Sequence, residues 1–302
     1  MPDWNTIYQQ IEDETRTAKQ PYDAVRHRLL KQFHEKTGRN VITYYSGWLQ
    51  KTGPQFSNIV SITDEDKNGF MACFHKLDFS KGLDLILHLP GGNVAATESI
   101  IDYIRAKFGA DVRTFVPQLS MSGGTMIALS GNEIWMGLHS NLGPIDPQFG
   151  PQPARLVLEE VETAYKEIQA DPQRMAIWSP ILAQIPPTYL SACKHAIQWS
   201  RDIAIKTLAN GMFLGDPAAS AKATSVADQL TDFATARSHS RHLHRQDCQG
   251  MGLNIRNLED DQSMQDAVLS VHHATLICLM QTPAAKIIEN HNGIMYGKAI
   301  GA

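Results

Sequence analysis

Residues 83–136 decide the fold of this 302-residue chain, and they read LDLILHLPGGNVAATESIIDYIRAKFGADVRTFVPQLSMSGGTMIALSGNEIWM. The first seven, Leu83–Leu89, form a short apolar run that is typical of a buried strand. A Pro-Gly-Gly turn at 90–92, which we call the glycine turn, ends this strand. Apolar residues then recur at helical spacing over Val94–Phe108, which predicts an amphipathic helix.

The pattern of strand, turn and helix repeats directly afterwards. Asp111–Val116 predicts the next strand, and Ser-Met-Ser-Gly-Gly at 120–124 predicts a second tight turn, which we call the serine turn. A helix over Thr125–Leu129 and a strand over Glu133–Met136 complete the repeat. Strands and helices that alternate at this spacing indicate parallel βαβ units, so the predicted fold class is α/β.

The sequence before this repeat predicts mostly helix. Residues 3–37 have apolar residues at roughly helical spacing, and Gly38 fits as the end of the helix. Asn40–Tyr45 is a run of β-branched and aromatic residues, which predicts a strand. A further helix is expected from Thr63 to Leu77, with Thr63 as its N-cap.

The sequence after residue 150 also predicts mainly helix. Residues 151–230 and 262–280 have helical patterns, and 246–257 predicts a short helix followed by a strand or turn. We therefore expect one domain, made of a helical segment at 1–39, an α/β core at 40–150 and a mainly helical extension at 151–302.

The composition excludes several classes of protein. With 43% hydrophobic and 19% charged residues, the chain is neither disordered, collagen-like nor a coiled coil. A formal net charge of −4 argues against a nucleic-acid partner, which would need clustered Lys and Arg. No apolar run reaches the ~18–20 residues that span a bilayer, so no integral membrane segment is expected. The N-terminal residues lack the pattern of a signal peptide, and the four cysteines are scattered, which predicts a reduced, cytoplasmic protein.

The two Gly-Gly turns are the candidate site. Each follows a predicted parallel strand and begins a helix, where exposed N–H groups favour an anion. Ser122 lies just before Gly123 in the serine turn, in the position where a strand-to-helix turn exposes a nucleophile. The glycine turn could supply donors for the oxyanion that acyl transfer generates. Ser120 is the rival serine, which could also cap the helix.

The motifs in this region have a recognisable order. PGG is followed about 30 residues later by MSGGT and then by HSNLGPIDPQ. The stretch from about 85 to 150 resembles the serine dehydrogenase proteinase (SDH) family, which is related to the signal peptide peptidase SppA and to ClpP. The resemblance implies a ClpP/crotonase-like fold of stacked βαβ units with helical elaborations at both ends. It also implies a homo-oligomer that acts on peptide or unfolded protein substrates as a serine peptidase, without a cofactor or metal.

The resemblance also implies roles for individual residues. Ser122 matches the nucleophile, and Gly123 would add an N–H donor to those of the glycine turn. Relatives line the substrate groove at the positions of Leu142 and Gly143. The residues implied to bind the oxyanion or the substrate are Gly91, Gly92, Gly123, Leu142 and Gly143.

The general base is left open between Lys166 and His139, with Lys194, Lys206 and Lys222 ranked below them and the lack of a competent base as the last possibility. SppA-like enzymes use a Ser–Lys dyad, and Lys166 lies 44 residues after Ser122. A lysine acts as a base only where burial lowers its pKa, whereas Glu162 lies one helical turn before Lys166. The ClpP-like alternative is a triad in which His139 is the base and Asp146 its partner.

Two other functions remain possible from the sequence. A crotonase-like acyl-CoA enzyme would use the same Gly-Gly turns, with carboxylates as acid and base. A non-catalytic scaffold would keep the fold and bind peptides. The histidines at 239, 242 and 244 are interleaved with arginines, so a basic loop is expected there rather than a metal site.

Overall fold

A twisted sheet with helices on both faces is the centre of the molecule. The computed structural model describes residues 3–150, 152–231 and 241–301. The strands are β1 Asn40–Ser46, β2 Leu83–His88, β3 Val112–Val116, β4 Leu119–Ser120, β5 Glu133–Met136, β6 Asn141–Leu142, β7 Gln148–Phe149, β8 Gln152–Pro153, β9 Leu243–His244, β10 Ile255–Asn257, β11 Ala284–Asn290 and β12 Met295–Ala299.

The helices come before, between and after these strands. They are α1 Trp4–Glu14, α2 Pro21–Thr37, α3 Ser57–Val60, α4 Asp66–Phe74, α5 Val94–Phe108, α6 Gly123–Ala128, α7 Ala154–Ala170, α8 Met175–Leu182, α9 Tyr189–Ala209, α10 Ala219–Thr231, α11 Arg245–Gly250 and α12 Gln262–Gln281. Within the described ranges, no helix combines the length and apolar character needed to cross a membrane.

Seven strands form the main sheet in the order β10-β5-β3-β2-β1-β11-β12. The five strands from β10 to β1 are parallel, as the repeat at 83–136 predicts. β11 pairs antiparallel with β1, and β12 pairs antiparallel with β11. A mixed sheet of this kind carries its ligand site at the carboxyl ends of the parallel strands.

The main sheet buries both of its faces. Leu85 and Leu87 of β2 pack into one hydrophobic cluster with α4, α5 and α6. Ile86, which points to the opposite face, packs into a second cluster with α1, α2 and α12. Because side chains alternate along a strand, the continuous apolar run of β2 is what a sheet covered on both faces requires.

Several sequence-predicted elements have the expected place and type. Val94–Phe108 is confirmed at both ends, with the Asn93 side chain accepting from the Ala96 N–H as the N-cap. The single helix predicted over 3–37 is instead two helices, since Pro21 starts α2 as its first residue. The helix expected from Thr63 to Leu77 is instead Asp66–Phe74, because residues 64–65 form a turn and the Thr63 N–H donates to the Asp66 carboxylate at 2.8 Å.

The sequence analysis missed β11 and β12. The prediction of a mainly helical region after 150 is wrong for these residues, which add two strands to the main sheet. β11 has no continuous apolar run, because Lys286 and Glu289 interrupt it. Both side chains are buried and paired with opposite charges, Asp66 and Arg26 respectively, so the strand is central although its sequence is polar.

Two buried histidines lie at the carboxyl end of β2. His88 is fully buried and packs against Trp48, with ring centroids 4.3 Å apart, and against His272, at 5.4 Å. Burial lowers the pKa of His88 to about 3 and that of His272 well below its ordinary value. Both rings therefore stay neutral in the folded protein near pH 6, whereas the same histidines in the unfolded chain begin to take up protons there.

We predict that the protein loses stability in mild acid through His88. Since the folded pKa is depressed, the unfolded chain binds more protons, and the free energy of unfolding falls as the pH drops below about 6.5. His88→Phe should reduce the loss between pH 8 and pH 5 by about 2 kcal/mol. Urea unfolding at both pH values measures this, with His195→Gln as the control at an exposed histidine. An unchanged pH dependence in His88→Phe would contradict the account.

Candidate active site

Ser122 occupies a strained position at the start of α6. Its backbone has φ 50° and ψ −115°, which lies outside the regions that a residue with a Cβ normally adopts. The strain arises because the chain reverses from β4 directly into the helix. Residues held in such conformations cluster at active sites, where the surrounding structure maintains them.

Pairing between two strand ends places the glycine turn beside the serine turn. The Met121 N–H donates to the Leu89 carbonyl at 2.9 Å, and the Leu89 N–H donates to the Leu119 carbonyl at 3.1 Å. Leu89 and Ser120 thereby form a parallel bridge. The two turns that the sequence analysis singled out are therefore neighbours.

The close approach of the turns requires glycine at position 91, and other neighbours crowd position 123. A Cβ at Gly91 would lie 2.8 Å from Ser122 Cβ and 3.1 Å from the Gly123 nitrogen, and Gly91 has φ 103°. A Cβ at Gly123 would lie 2.8 Å from Thr97 Oγ1, and the Gly92 nitrogen is 3.5 Å from the same position. The amides of Gly92 and Gly123 thus flank Ser122. Gly123 is the first residue of α6, so its N–H has no acceptor within the helix.

Thr125 fixes the serine turn from beneath. Its hydroxyl lies 2.8 Å from both the Ser120 and the Gly143 carbonyl oxygens, and it accepts from the Gly143 N–H at 3.0 Å. Leu142 is fully buried in the hydrophobic cluster, and Met121 covers Gly143. The structure therefore places Leu142 and Gly143 under the serine turn as support, and not in the cavity wall.

A cavity of about 550 Å³ opens over Ser122. Both turns form its floor, and the segment after Gly143 forms one wall. Its larger apolar lining residues are Met126, Ile145, Phe149 and Trp199. Asp146 is the single titratable side chain among the described residues that line it.

The two candidate bases lie elsewhere in this structure. Lys166 is on α7, where its side chain is 69% exposed and its Nζ lies 3.4 Å from Glu162 Oε1. His139 lines a separate cavity of about 270 Å³ with His272 and His273. A base must come within about 3 Å of the proton that it takes. The structure thus brings Ser122, Gly91, Gly92 and Gly123 together, but not Lys166 or His139.

Sequence reasoning missed two parts of the site. Trp199 lines the cavity from α9, and its indole N–H donates to Glu98 at 3.0 Å. In the sequence, Trp199 is one residue of a predicted helix, and nothing in the surrounding pattern indicates that it lines a site. Ile62 contacts the glycine turn through its backbone alone, which no pattern of side chains could reveal.

The described residues contain no group of three or more His, Cys, Asp or Glu side chains arranged to hold a metal ion. The predicted basic loop begins in 232–240, so His239 lies outside the part of the chain that the structure describes. The four cysteines are buried free thiols.

The comparison with known families agrees with the site. The sequence profile of the ClpP-like SDH-type serine proteinases matches residues 11–264. The chain belongs to this family. The expected family and the expected α/β fold of the ClpP type are therefore confirmed.

Two uncharacterized proteins of Methanocaldococcus jannaschii are also similar to part of the chain. One is 41% identical over 101 residues, which cover 33% of this chain and 35% of that protein. The other is 37% identical over 98 residues, which cover 32% of this chain and 33% of that protein. The matched part of the chain spans about a third of the length of these curated relatives.

We predict that Gly91→Ala disables the site without unfolding the protein. The added methyl group would press on Ser122 and on the Gly123 amide. Since this amide is the expected oxyanion donor, labelling by a fluorophosphonate probe should slow by about a hundredfold. Gly109→Ala is the matched control, because Gly109 has φ 58° and no atom within 4 Å of an added Cβ. Gly109→Ala should lose about 1 kcal/mol of stability from its backbone conformation, and Gly91→Ala about 2–3 kcal/mol because its methyl group also presses on Ser122. Equal labelling rates would contradict the prediction.

Proposed function

We propose that this protein is a serine peptidase that hydrolyses peptide bonds through an acyl-enzyme on Ser122. The observation that carries the proposal is the strained Ser122 at the head of α6, with the glycine turn packed against it under one cavity. Membership of a serine proteinase family supports the same chemistry.

The proposed reaction uses Ser122, the amides of Gly92 and Gly123, and a general base. Ser122 Oγ attacks the peptide carbonyl carbon as the general base takes its proton. The N–H groups of Gly92 and Gly123 stabilise the developing oxyanion, and a preorganised donor of this kind is worth about 10²–10³ in rate. The C–N bond then breaks, the leaving amine receives the proton from the base, and water hydrolyses the resulting ester.

For the base we propose Lys166, in a Ser–Lys dyad. The described residues that line the cavity include neither lysine nor histidine, so Lys166 would have to move from its place on α7 to reach Ser122. Lys166 would have to leave Glu162 and water for the cavity, where burial would lower its pKa enough to accept a proton. His139 would have to leave the separate cavity that it lines with His272 and His273.

The lining of the cavity supports a peptide substrate with an apolar side chain. Met126, Ile145, Phe149 and Trp199 form an apolar surface next to Ser122. An acyl-CoA substrate is not favoured, because no Lys or Arg among the described lining residues is available for its phosphates. Exposed apolar side chains on α7 and α8, including Tyr165 and Ile177, support self-association.

We predict that Ser122→Ala abolishes both peptide hydrolysis and fluorophosphonate labelling, because the nucleophile is removed. Ser120→Ala is the control, since Ser120 is the neighbouring buried serine of the same turn and its backbone, not its hydroxyl, holds the turn. It should keep activity within about threefold, as expected for a small buried truncation. Labelling that persists in Ser122→Ala would contradict the assignment. A wild-type protein that binds peptides without cleaving them would indicate a scaffold.

We predict that Lys166→Met lowers kcat at least a hundredfold, which is within the usual range for loss of a general base. Because Lys166 is exposed in this structure, the substitution should leave the unfolding temperature unchanged. Lys31→Met, at an exposed lysine of α2 that is not a candidate base, is the matched control. Full activity in Lys166→Met would rule out the dyad and direct attention to Asp146, in the cavity itself.

A further inference from the structure

Lys286 lies in the middle of β11 with its charged end buried. The side chain is 1% exposed, and its Nζ lies 2.9 Å and 2.8 Å from the two carboxylate oxygens of Asp66. The third donor of the ammonium reaches the carbonyl oxygen of Ser61 at 2.5 Å. All three hydrogens are therefore used, and a buried charge so fully paired is costly to disrupt.

Asp66 carries this anchor to the backbone of the segment 61–63. Its Oδ2 accepts from the Thr63 N–H at 2.8 Å and from the Tyr44 hydroxyl at 2.7 Å. Lys286 thus holds the segment at both ends, directly at Ser61 and through Asp66 at Thr63. Ile62, between them, has its backbone fixed in position.

Ile62 in turn holds the glycine turn. Its N–H donates to the Gly91 carbonyl at 2.8 Å, and its carbonyl accepts from the Asn93 N–H at 2.9 Å. The contact is so close that a Cβ at Gly92 would lie 2.3 Å from the Ile62 nitrogen. The two hydrogen bonds clamp the peptide unit of Gly92 from both sides.

We propose that Lys286 is a positioning residue that sets the oxyanion donor of Gly92 through Asp66 and the backbone of Ile62. This inference rests on the proposed function for the catalytic effect and on the hydrogen bonds above for the mechanical link. Lys286, on β11, would in this way orient the amide of Gly92, which follows the carboxyl end of β2. Lys286 itself does not line the cavity over Ser122.

The link predicts a specific kinetic defect in Lys286→Met, which keeps the length of the side chain but removes its donors. Since a misplacement of about 1 Å at a catalytic group can cost about 10²-fold, kcat should fall at least tenfold. KM should stay within about twofold, because the donor acts mainly on the transition state.

Arg26→Met is the matched control for the loss of a buried ion pair. Arg26 Nε lies 2.7 Å from Glu289 Oε2, both side chains are fully buried, and Glu289 is also on β11. Both variants should unfold at a lower temperature, but Arg26→Met should keep kcat within about threefold once the folded fraction is accounted for. Equal loss of kcat in the two variants would reduce Lys286 to a structural role and overturn the proposal.

Hydrogen exchange tests the mechanical link independently of activity. In Lys286→Met, the amides of Ile62 and Asn93 should exchange at least tenfold faster than in the wild type, and in Arg26→Met they should not. Tyr44→Phe, which removes a single donor to Asp66, should give a smaller increase and serves if Lys286→Met does not fold. Unchanged exchange in these variants overturns the proposal. Faster exchange in a protein whose wild type is never labelled at Ser122 supports the link and contradicts the proposed function.

Discussion

The pairing of Leu89 with Ser120 is the constraint on which the rest of the site depends. Two backbone hydrogen bonds join the end of one strand to the start of the serine turn. They bring the two turns so close that a methyl group at Gly91 would collide with Ser122. This pairing places Ser122 beside the backbone of the glycine turn, and the Thr125 hydroxyl holds the serine turn from beneath.

The main sheet holds the Leu89–Ser120 pairing in place because the sheet is buried on both faces. Helices cover both of its faces, so the strand ends meet at one edge where loops can vary. The antiparallel strands after residue 283 add a second support, since their buried charges hold the segment that clamps the glycine turn. Polar residues of the sheet thus contribute to the geometry of the site from beneath it.

The elements that could be predicted from the sequence are those whose pattern lies within a few consecutive residues. The apolar run of β2, the helix at 94–108 and both turns follow from patterns of a few residues, so they were found. β11 could not be found in this way, because the partners that make Lys286 and Glu289 compatible with burial are distant in sequence. The base was predicted from spacing alone, and spacing does not specify whether a helical lysine faces water or a cavity.

The structure of the protein after reaction with a fluorophosphonate tests the central claim most directly. The account predicts phosphorus bonded to Ser122 Oγ, with the phosphonyl oxygen about 2.7–3.1 Å from the Gly92 and Gly123 nitrogens. A phosphonyl oxygen that points away from both amides, or an adduct on another residue, would contradict it.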